Sequence, residues 1–265
     1  MGPVLLFRVD GDSEAELETA RRHWPVEHDR TRCRDRLVVG RYSVLPFYEA
    51  LEQEQSERGC RLINTHAQHR WIANFEYYPA FRDVTPESWS DEEFASAPDG
   101  PFVLKGRSSS FKHHWSDLMF ASDKEDASRK AKVLRDRQVI AQQGLLFRRF
   151  IPLETFAYTT SGLPISNEWR FFFVGERLIG YGYYWARMAR TAFASLDSVG
   201  IAFARECAAR VSGRATFFVV DIARADDGRW VLIELNDGQT SGLMAIDAED
   251  FYQELLTACS QIASA

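Results

Sequence analysis

The stretch from Phe217 to Gly238 constrains the fold of this chain more than any other part of the sequence. It reads FFVVDIARADDGRWVLIELNDG, two runs rich in β-branched, aromatic and aliphatic residues. Asp227-Gly228 lies between the runs, and this dipeptide readily adopts the positive φ angles of a two-residue hairpin turn. Such a turn places Asp226 opposite Arg229. The stretch therefore predicts two antiparallel strands joined by a tight turn.

The predicted register brings two carboxylates together on one face of the hairpin. Asp221 faces Glu234 across the ladder, and Asn236 lies two residues further on the same face. The opposite face is wholly apolar and consists of Val220, Ile222, Val231, Ile233 and Leu235. Facing carboxylates repel unless a cation lies between them, and Asp, Glu and Asn oxygens suit Mg²⁺ together with substrate phosphates. Spacing alone fits either a magnesium site or a hairpin with a solvated acidic face.

Length and charge narrow the class of protein. A chain of 265 residues predicts one large domain or two smaller ones. The net charge of −6 argues against a nucleic-acid partner, because phosphate binding favours a basic surface. No apolar run reaches the roughly 18 residues of a membrane span, so no membrane association is expected. The four cysteines are widely spaced without a CxxC pair, which favours reduced thiols in a cytoplasmic protein.

The first part of the chain alternates strands and helices. Strands are predicted at Val4–Val9, Arg36–Tyr42 and Arg61–Asn64, with one helix beginning near Ser13 and another beginning at Ser43, with Pro46 in its first turn. This alternation predicts a small parallel α/β unit. Residues 83–100 are rich in Pro, Ser and Asp and are interpreted as a linker or an irregular connection, so we expect an amino-terminal domain over 1–98 and a second domain over 99–265. His66 and His69 have no third partner for a metal, which favours packing and capping roles.

The second part contains basic residues beside possible anion sites. Pro101–Lys105 reads as a strand that ends in a lysine, and the polar run Gly106–Ser110 follows it. A lysine beside such a loop can hold phosphate, although an ordinary solvated loop has the same composition. Arg148 and Arg149 alternate along the stretch Leu145–Leu153, so they point to opposite faces. The sequence suggests no role for Lys112.

Asn167–Tyr184 reads as a second hairpin with its turn at Gly175-Glu176. This turn pairs Val174 with Arg177 and Arg170 with Tyr181. Glu168, Arg170 and Phe172 then share one face, and Trp169, Phe171 and Phe173 share the other. Arg170 could stack on aromatic rings, form a salt bridge or bind a phosphate through paired hydrogen bonds. Helices are predicted over residues 122–144, 197–210 and 250–263.

These segments together resemble the ATP-grasp fold. The resemblance rests on VLKG (Val103–Gly106), LLFRRFIPLE (145–154), NEWRFFFVGERLIG (167–180) and the Phe217–Gly238 hairpin, in this order. They are most similar to the divergent clade marked by two arginines and a lysine, which includes the eukaryotic assembly chaperone of translation initiation factor 2 and bacterial and phage proteins. The resemblance implies an α/β (α+β) protein in which a small parallel domain precedes a grasp of two subdomains, with a hinge near residues 148–154.

The resemblance also implies a role for each site residue, with ATP and Mg²⁺ as cofactors. Lys105 would contact the α- or β-phosphate, Arg148 would face the nucleotide, and Arg170 would hold the γ-phosphate or the acyl phosphate formed from it. Phe150 and Ile151 would meet the adenine edge, and Glu154 would take the ribose hydroxyls. Asp221, Glu234 and Asn236 would bind Mg²⁺. Such a site supports phosphoryl transfer, which depends on positioning and charge neutralisation.

The implied activity is an ATP-dependent carboxylate–amine ligase that works through an acyl phosphate. Its substrate would be a small molecule or a peptide that supplies a carboxylate and an amine. We expect the acceptor near Arg187, Arg190 and the Gly238–Gly242 loop. Two alternatives remain, an ATP-binding assembly chaperone with a protein partner and a kinase or nucleotidyl transferase. The loop after Lys105 is serine-rich rather than glycine-rich, which departs from the family pattern.

Overall fold

The computed structural model describes residues 2–9, 13–42, 47–107, 111–138, 140, 144–186, 188 and 194–264. Its amino-terminal part is a four-stranded parallel sheet of strand order β2-β1-β3-β4. The strands are β1 (Val4–Phe7), β2 (Val26–Glu27), β3 (Leu37–Arg41) and β4 (Arg61–Leu62), and the helices are α1 (Glu14–His23), α2 (Tyr48–Ser56) and α3 (His66–Ala73). The predicted parallel α/β unit is therefore confirmed. Ser43 and Pro46, predicted to begin the second helix, lie outside the described residues.

A small antiparallel sheet of order β5-β8-β6-β7 follows. Its strands are β5 (Ser88–Ser90), β6 (Phe102–Gly106), β7 (Phe120–Ala121) and β8 (Leu145–Arg149), and helix α4 (Lys124–Arg135) packs against them. Asp123 caps α4 by accepting the Asp126 N–H at 2.8 Å. Strand β5 lies inside the stretch predicted as a linker or an irregular connection, so the prediction missed this short strand. Its three residues gain their structure from pairing with β8, which a local pattern does not reveal.

The larger antiparallel sheet has the order β12-β11-β13-β14 and carries the two predicted hairpins. Its strands are β11 (Glu168–Val174), β12 (Arg177–Tyr183), β13 (Phe217–Arg224) and β14 (Trp230–Asp237). A two-stranded ribbon of β9 (Thr155–Tyr158) and β10 (Pro164–Ser166) precedes it, and the remaining helices are α5 (Ser198–Val211) and α6 (Ala248–Ser264). None of the helices in the described part of the chain combines the length and the apolar character that a bilayer-spanning segment needs.

The turn between β13 and β14 is one residue longer than predicted. The Ala225 N–H donates to the Arg229 carbonyl at 2.8 Å, so Ala225 rather than Asp226 lies opposite Arg229. The Gly228 N–H donates to the Ala225 carbonyl at 2.8 Å, and Gly228 has a φ of 87°. These features define a three-residue loop with glycine in the left-handed conformation, a common alternative to the two-residue turn.

A β-bulge then restores the predicted pairing further along the strands. Ile222 pairs with Leu232, whereas Asp221 pairs with Glu234, which leaves Ile233 as the extra residue. The predicted pairing of Asp221 with Glu234 is thus confirmed. The prediction that Val231 and Ile233 lie on the apolar face was wrong. The bulge at Ile233 adds one residue, so the side chains that precede it in β14 point to the opposite faces from those predicted. Leu232 and Trp230 take their places in the core beneath the sheet.

The second hairpin also contains a bulge. Val174 pairs with Arg177 as predicted, and Gly175 at the turn has a φ of 57°. Phe173 pairs with Leu178 but Phe172 pairs with Gly180, so the register shifts by one residue. Arg170 therefore lies opposite Gly182, and its predicted pairing with Tyr181 was wrong.

The two faces of the larger sheet belong to different cores. The face of Phe172 and Val219 packs against the amino-terminal sheet and helix α6. The face of Phe171 and Val220 packs against helix α5. The small sheet has a separate core with helix α4. The predicted boundary between two domains at residue 98 stays a prediction, since one core joins the amino-terminal sheet to the larger sheet.

Candidate active site

Three charged side chains form a row across the larger sheet. Arg170 on β11 is the cross-strand partner of Asp221 on β13, and Asp221 is the partner of Glu234 on β14. Cross-strand partners have their Cβ atoms about 5 Å apart, so the three side chains stand side by side. We call Arg170, Asp221 and Glu234 the charged row. Elsewhere on this face the sheet is apolar, as at Phe172 and Val219, so the polar site borders a packed core.

Each carboxylate of the charged row has its own basic partner. Asp221 is 1% exposed and accepts Arg170 Nε at 2.8 Å on Oδ1 and Nη2 at 2.7 Å on Oδ2. The Asn236 amide also donates to Asp221 Oδ2, at 3.0 Å. Glu234 Oε1 accepts a hydrogen bond from Lys105 Nζ. Burial alone would raise the pKa of Glu234, but the charge and hydrogen bond of Lys105 hold it below its usual value.

A cavity of about 710 Å³ lies between the small sheet and the larger sheet. Five of the predicted site residues line it: Lys105, Arg148, Phe150, Ile151 and Glu234. Apolar side chains make up much of its remaining wall, among them Val103, Met119, Phe120, Leu163 and Trp185. We call it the large cavity. Its size is within the range of small-molecule sites, and its basic residues lie beside Glu234 of the charged row.

Arg148 joins the walls of the large cavity. Its Nη1 donates to the Ile233 carbonyl at 2.5 Å, and Ile233 is the extra residue of the β14 bulge. Its Nη2 and Nε donate to Thr85 Oγ1 at 2.8 Å and to Ser88 Oγ at 3.2 Å. Arg149 points to the opposite face and stacks on Phe102 at 4.6 Å. In a regular strand the Ile233 carbonyl would point to the adjacent strand. The bulge leaves this carbonyl available to Arg148.

The backbone of residues 148–153, part of the predicted hinge, lies along one wall of the large cavity. The Phe150 N–H donates to the Pro101 carbonyl at 3.0 Å, while no hydrogen bond within the described residues involves the Ile151 N–H. Glu154 does not line the cavity, since its carboxylate accepts the Asn167 amide at 2.8 Å and lies 3.9 Å from Arg224. Asp226, which the sequence did not single out as a site residue, lines the cavity beside the predicted hinge.

Two further charged residues lie in the large cavity. Lys112 donates to the Tyr184 hydroxyl at 2.6 Å, and its Nζ lies over the rings of Tyr184 and Trp185. Glu168 is buried near Lys112, and burial raises its pKa to about 7. The Glu168 side chain could be predicted to share the face of Arg170 from strand alternation. Lys112 follows an irregular polar run, where no periodic pattern indicates the direction of a side chain.

We expect Glu168 to make the stability of the ligand-free protein depend on pH. Its folded pKa of about 7 lies above the ordinary value of 4.5, so the folded state favours the protonated carboxyl. The stabilisation is complete below pH 4.5 and is lost as the pH rises through 7. Glu168→Gln should remove this loss. The unfolding free energy, measured with urea, should therefore fall more from pH 5 to pH 8 in the wild type than in Glu168→Gln. Equal decreases in the two proteins would contradict the prediction.

A second cavity of about 340 Å³ borders the other end of the charged row. Arg170, Asn236 and His69 line it together with Thr240, Ser241 and Gly242 of the predicted acceptor loop. We call it the small cavity. Arg107 also lines it, and the buried Arg107 Nε has no hydrogen-bond partner among the described residues. Arg187 and Arg190, the other predicted acceptor residues, lie outside the described residues.

The oxygen atoms around the charged row fit a magnesium ion that takes further ligands from phosphate and water. Glu234 uses one oxygen for Lys105, and Asn236 uses its amide nitrogen for Asp221, so one oxygen of each is available. Within the described ranges, no group of three or more His, Cys, Asp or Glu residues could hold a metal by itself. Mg²⁺ is commonly bound by one or two carboxylates with the rest from phosphates and water, which matches this donor set.

Several solved structures share the fold of this chain. D-cycloserine synthetase DcsG is 15% identical with a TM-score of 0.60, and the match covers 97% of this chain and 100% of that chain. A RimK domain protein ATP-grasp from Sphaerobacter thermophilus DSM 20745 is 16% identical with a TM-score of 0.60, covering 98% and 99%. The ATP-grasp ligase PsnB, complexed with a phosphomimetic variant of its minimal precursor, Mg and ADP, is 12% identical with a TM-score of 0.60, covering 97% and 95%.

A search among curated proteins found no match to the sequence. Residues 90–255 match the model of an ATP-grasp domain family, the third family of the clade named for two arginines and a lysine. This range holds both hairpins, the predicted hinge and Lys105. Together with the shared fold, it confirms the predicted ATP-grasp architecture and supports the expectation of an ATP-grasp ligase. The chain belongs to the third family of the ATP-grasp clade with two arginines and a lysine.

Proposed function

We propose that this chain is an ATP- and Mg²⁺-dependent carboxylate–amine ligase that acts through an acyl phosphate. The observation that carries the proposal is the position of the charged row between two cavities. Glu234 lines the large cavity with Lys105, Lys112 and Arg148, and Arg170 lines the small cavity. One cavity is large enough for a nucleotide and the other provides a separate place for an acceptor.

The large cavity offers each part of ATP a matching environment. Its apolar wall and the free Ile151 N–H suit the adenine ring, as proposed for Phe150 and Ile151. Lys105, Lys112 and Arg148 supply positive charge for the phosphates. Mg²⁺ held by Glu234 and Asn236, joined by Asp221 only when Asp221 gives up a hydrogen bond to Arg170, would neutralise further phosphate charge. Glu154 remains the proposed ribose ligand, and to reach the ribose its carboxylate must first release the Asn167 amide. Asp226 already lines the cavity.

Arg170 is suited to hold the phosphoryl group that is transferred. Its guanidinium is oriented by Asp221 on one edge, and its Nη1 donates to the Gly242 carbonyl at 3.1 Å in the acceptor loop. A guanidinium fixed in this way can stabilise the charge of a phosphoryl group without reorganising. The amine that attacks the acyl phosphate would enter through the small cavity. The substrate would be a small molecule or a peptide, the two kinds that the names of the similar ligases indicate.

The proposal also includes the architecture and the cellular location. Residues 1–98 would form the amino-terminal domain, and residues 99–265 would form the grasp with its hinge near 148–154. A cytoplasmic location would supply ATP and keep the four buried, free cysteines reduced.

The deciding experiment is a screen for ADP release. The purified chain is incubated with ATP, Mg²⁺ and pools of amino acids and dipeptides, and ADP and phosphate are measured together. A ligase releases both only when a carboxylate and an amine are present. Tight ATP binding without turnover and a stable protein partner would instead indicate an assembly chaperone. A product that carries phosphate or AMP would indicate a kinase or a nucleotidyl transferase.

Lys105→Ala is expected to weaken ATP binding in the presence of Mg²⁺. The substitution removes a buried positive charge from the large cavity, and a charge-assisted contact contributes about 1.5–3 kcal/mol, which corresponds to a Kd increase of roughly 10- to 150-fold. Isothermal titration calorimetry measures this change. Lys124→Ala is the matched control, because Lys124 contacts the Ala95 and Ala97 carbonyls away from the cavity. Equal ATP affinity in both variants would contradict the role of Lys105.

A further inference from the structure

His69 is held in a fixed orientation at the wall of the small cavity. Its Nδ1 lies 2.8 Å from Asp237 Oδ2, and its ring stacks on Tyr48 with a centroid distance of 4.4 Å and an angle of 3°. Helix α3 presents His69 one turn after a complete capping box formed by Thr65 and Gln68. Packing, a hydrogen bond and the helix start together leave the ring little freedom to rotate.

The surroundings of Asp237 determine which nitrogen of His69 carries the proton. Asp237 is buried, and its Oδ1 accepts the Asn64 amide at 3.0 Å and the Gln239 N–H at 2.9 Å. Asp237 Oδ2 also accepts Gln239 Nε2 at 3.4 Å, so N–H donors surround this carboxylate, which acts as an acceptor. Nδ1 of His69 therefore carries the hydrogen, and Nε2 keeps a lone pair. Aspartate orients a catalytic histidine in the same way in hydrolytic triads.

His69 shares the small cavity with Arg170, the residue proposed to hold the acyl phosphate. The charged or titratable groups around its ring are Asp237, Tyr48, His66 on the same helix, and the guanidinium groups of Arg107 and Arg170. With Nδ1 directed at Asp237, Nε2 is the ring atom whose lone pair can accept a proton.

We propose that Nε2 of His69 removes the proton from the substrate amine before the amine attacks the acyl phosphate. An α-amino group has a pKa of about 7.7–8.0 and is mostly protonated at neutral pH, so it cannot attack until it loses that proton. The inference rests on the ligase activity proposed above. It adds a catalytic residue from the amino-terminal sheet domain, outside the residues that match the family.

The step conserves atoms and charge. The ammonium group transfers one proton to Nε2, which gives a neutral amine and an imidazolium stabilised by Asp237. The nitrogen lone pair forms the new C–N bond to the carbonyl carbon, and the C–O bond to phosphate breaks with its electron pair on the phosphate. A second N–H proton leaves with the phosphate, so the products are an amide and hydrogen phosphate. The imidazolium then returns its proton to solvent.

The test compares two nucleophiles in the same preparation of His69→Asn. The Asn amide nitrogen can replace Nδ1 as the donor to Asp237, but nothing replaces Nε2 as a base. The probes are ATP, Mg²⁺ and a pool of amino acids and dipeptides, with and without hydroxylamine. Hydroxylamine is largely unprotonated at neutral pH and needs no base, so hydroxamate formation reports the acyl phosphate alone. Amide formation with the amino acids reports proton removal as well.

We expect His69→Asn to keep hydroxamate formation within about threefold and to lower amide formation at least roughly 30-fold at pH 7. The defect should shrink at about pH 9, where the amine is already unprotonated. The ratio of the two rates does not depend on how much of the variant is folded. His66→Asn, on the same helix, is the matched control and should leave the ratio unchanged.

A ratio in His69→Asn equal to that of the wild type would overturn the proposal, because His69 would then have only a structural role. An equal defect at pH 7 and pH 9 would overturn it as well. If the wild type forms no hydroxamate with any amino acid or dipeptide, the ligase assignment fails at its first step and the base assignment fails with it. The two failures are therefore distinguishable.

Discussion

Glu234→Gln should lower ATP-dependent turnover by roughly 10³-fold, the scale observed when a charged or hydrogen-bonding group that stabilises a transition state is lost. Gln keeps the size of Glu234 and an oxygen near Lys105, but it removes the negative charge that would attract Mg²⁺. The structure also indicates a cost in the ligand-free protein. Lys105 is buried and would lose its counter-charge, so we expect the unfolding free energy to fall by about 1–3 kcal/mol.

Turnover is measured as ADP release at saturating ATP and increasing Mg²⁺, and stability by urea unfolding without ligands. Glu254→Gln provides the control, since Glu254 forms an exposed ion pair with Arg177 and such pairs contribute little. Normal turnover in Glu234→Gln would show that the magnesium assignment is wrong. A stability gain would show that Asp221 and Glu234 repel each other more than Lys105 attracts Glu234.

Arg170→Met should be the most destabilising single substitution in the charged row. It leaves Asp221 buried without its guanidinium, and removing one partner of a buried ion pair costs about 3–5 kcal/mol. Turnover should also be lost, because the residue proposed to hold the phosphoryl group is gone. Urea unfolding and ADP release measure the two effects separately.

The double variant Arg170→Met with Asp221→Asn separates stability from chemistry. Without the Asp221 charge, the cost of burial falls, and we expect more than half of the lost unfolding free energy to return. Turnover should stay absent. A double variant that is no more stable than Arg170→Met would show that packing around Arg170, rather than the unpaired charge, causes the loss. Recovery of turnover would contradict the assignment of Arg170 to the phosphoryl group.

Strand alternation predicted the pairing at the centre of the site even though the turn was one residue longer than expected. The dipeptide Asp227-Gly228 fits two hairpin loops that differ by one residue, and local sequence does not choose between them. The bulge at Ile233 cancels the difference, so Asp221 still faces Glu234. Such a bulge depends on contacts with other elements, here the hydrogen bond from Arg148, and it leaves no local signature.

The same limit explains which residues of the candidate site could be predicted from the sequence. Lys105, Arg170 and Glu234 lie on strands, where alternation indicates the face of a side chain. Lys112 lies in an irregular segment, and Asp226 lies in the turn whose length was mispredicted. Glu154 was assigned by its place in the family pattern, but its carboxylate contacts Asn167 in the structure. The pairing of His69 with Asp237 spans 168 residues in the chain, a separation that no local pattern can bridge.

The amino-terminal sheet shares one hydrophobic core with β11, β13 and α6. This shared core limits which part of the gene can be shortened or exchanged by itself. The family match begins at residue 90 and ends at residue 255, inside α6. A gene shortened to that range would encode a chain whose Phe172, Phe217 and Val219 side chains, buried by the amino-terminal sheet, faced water and promoted aggregation. Recombination that exchanged only the matching range would have to preserve the packing of these side chains against the amino-terminal sheet. The part of the chain that can bury its own core is therefore larger than the range that matches the family.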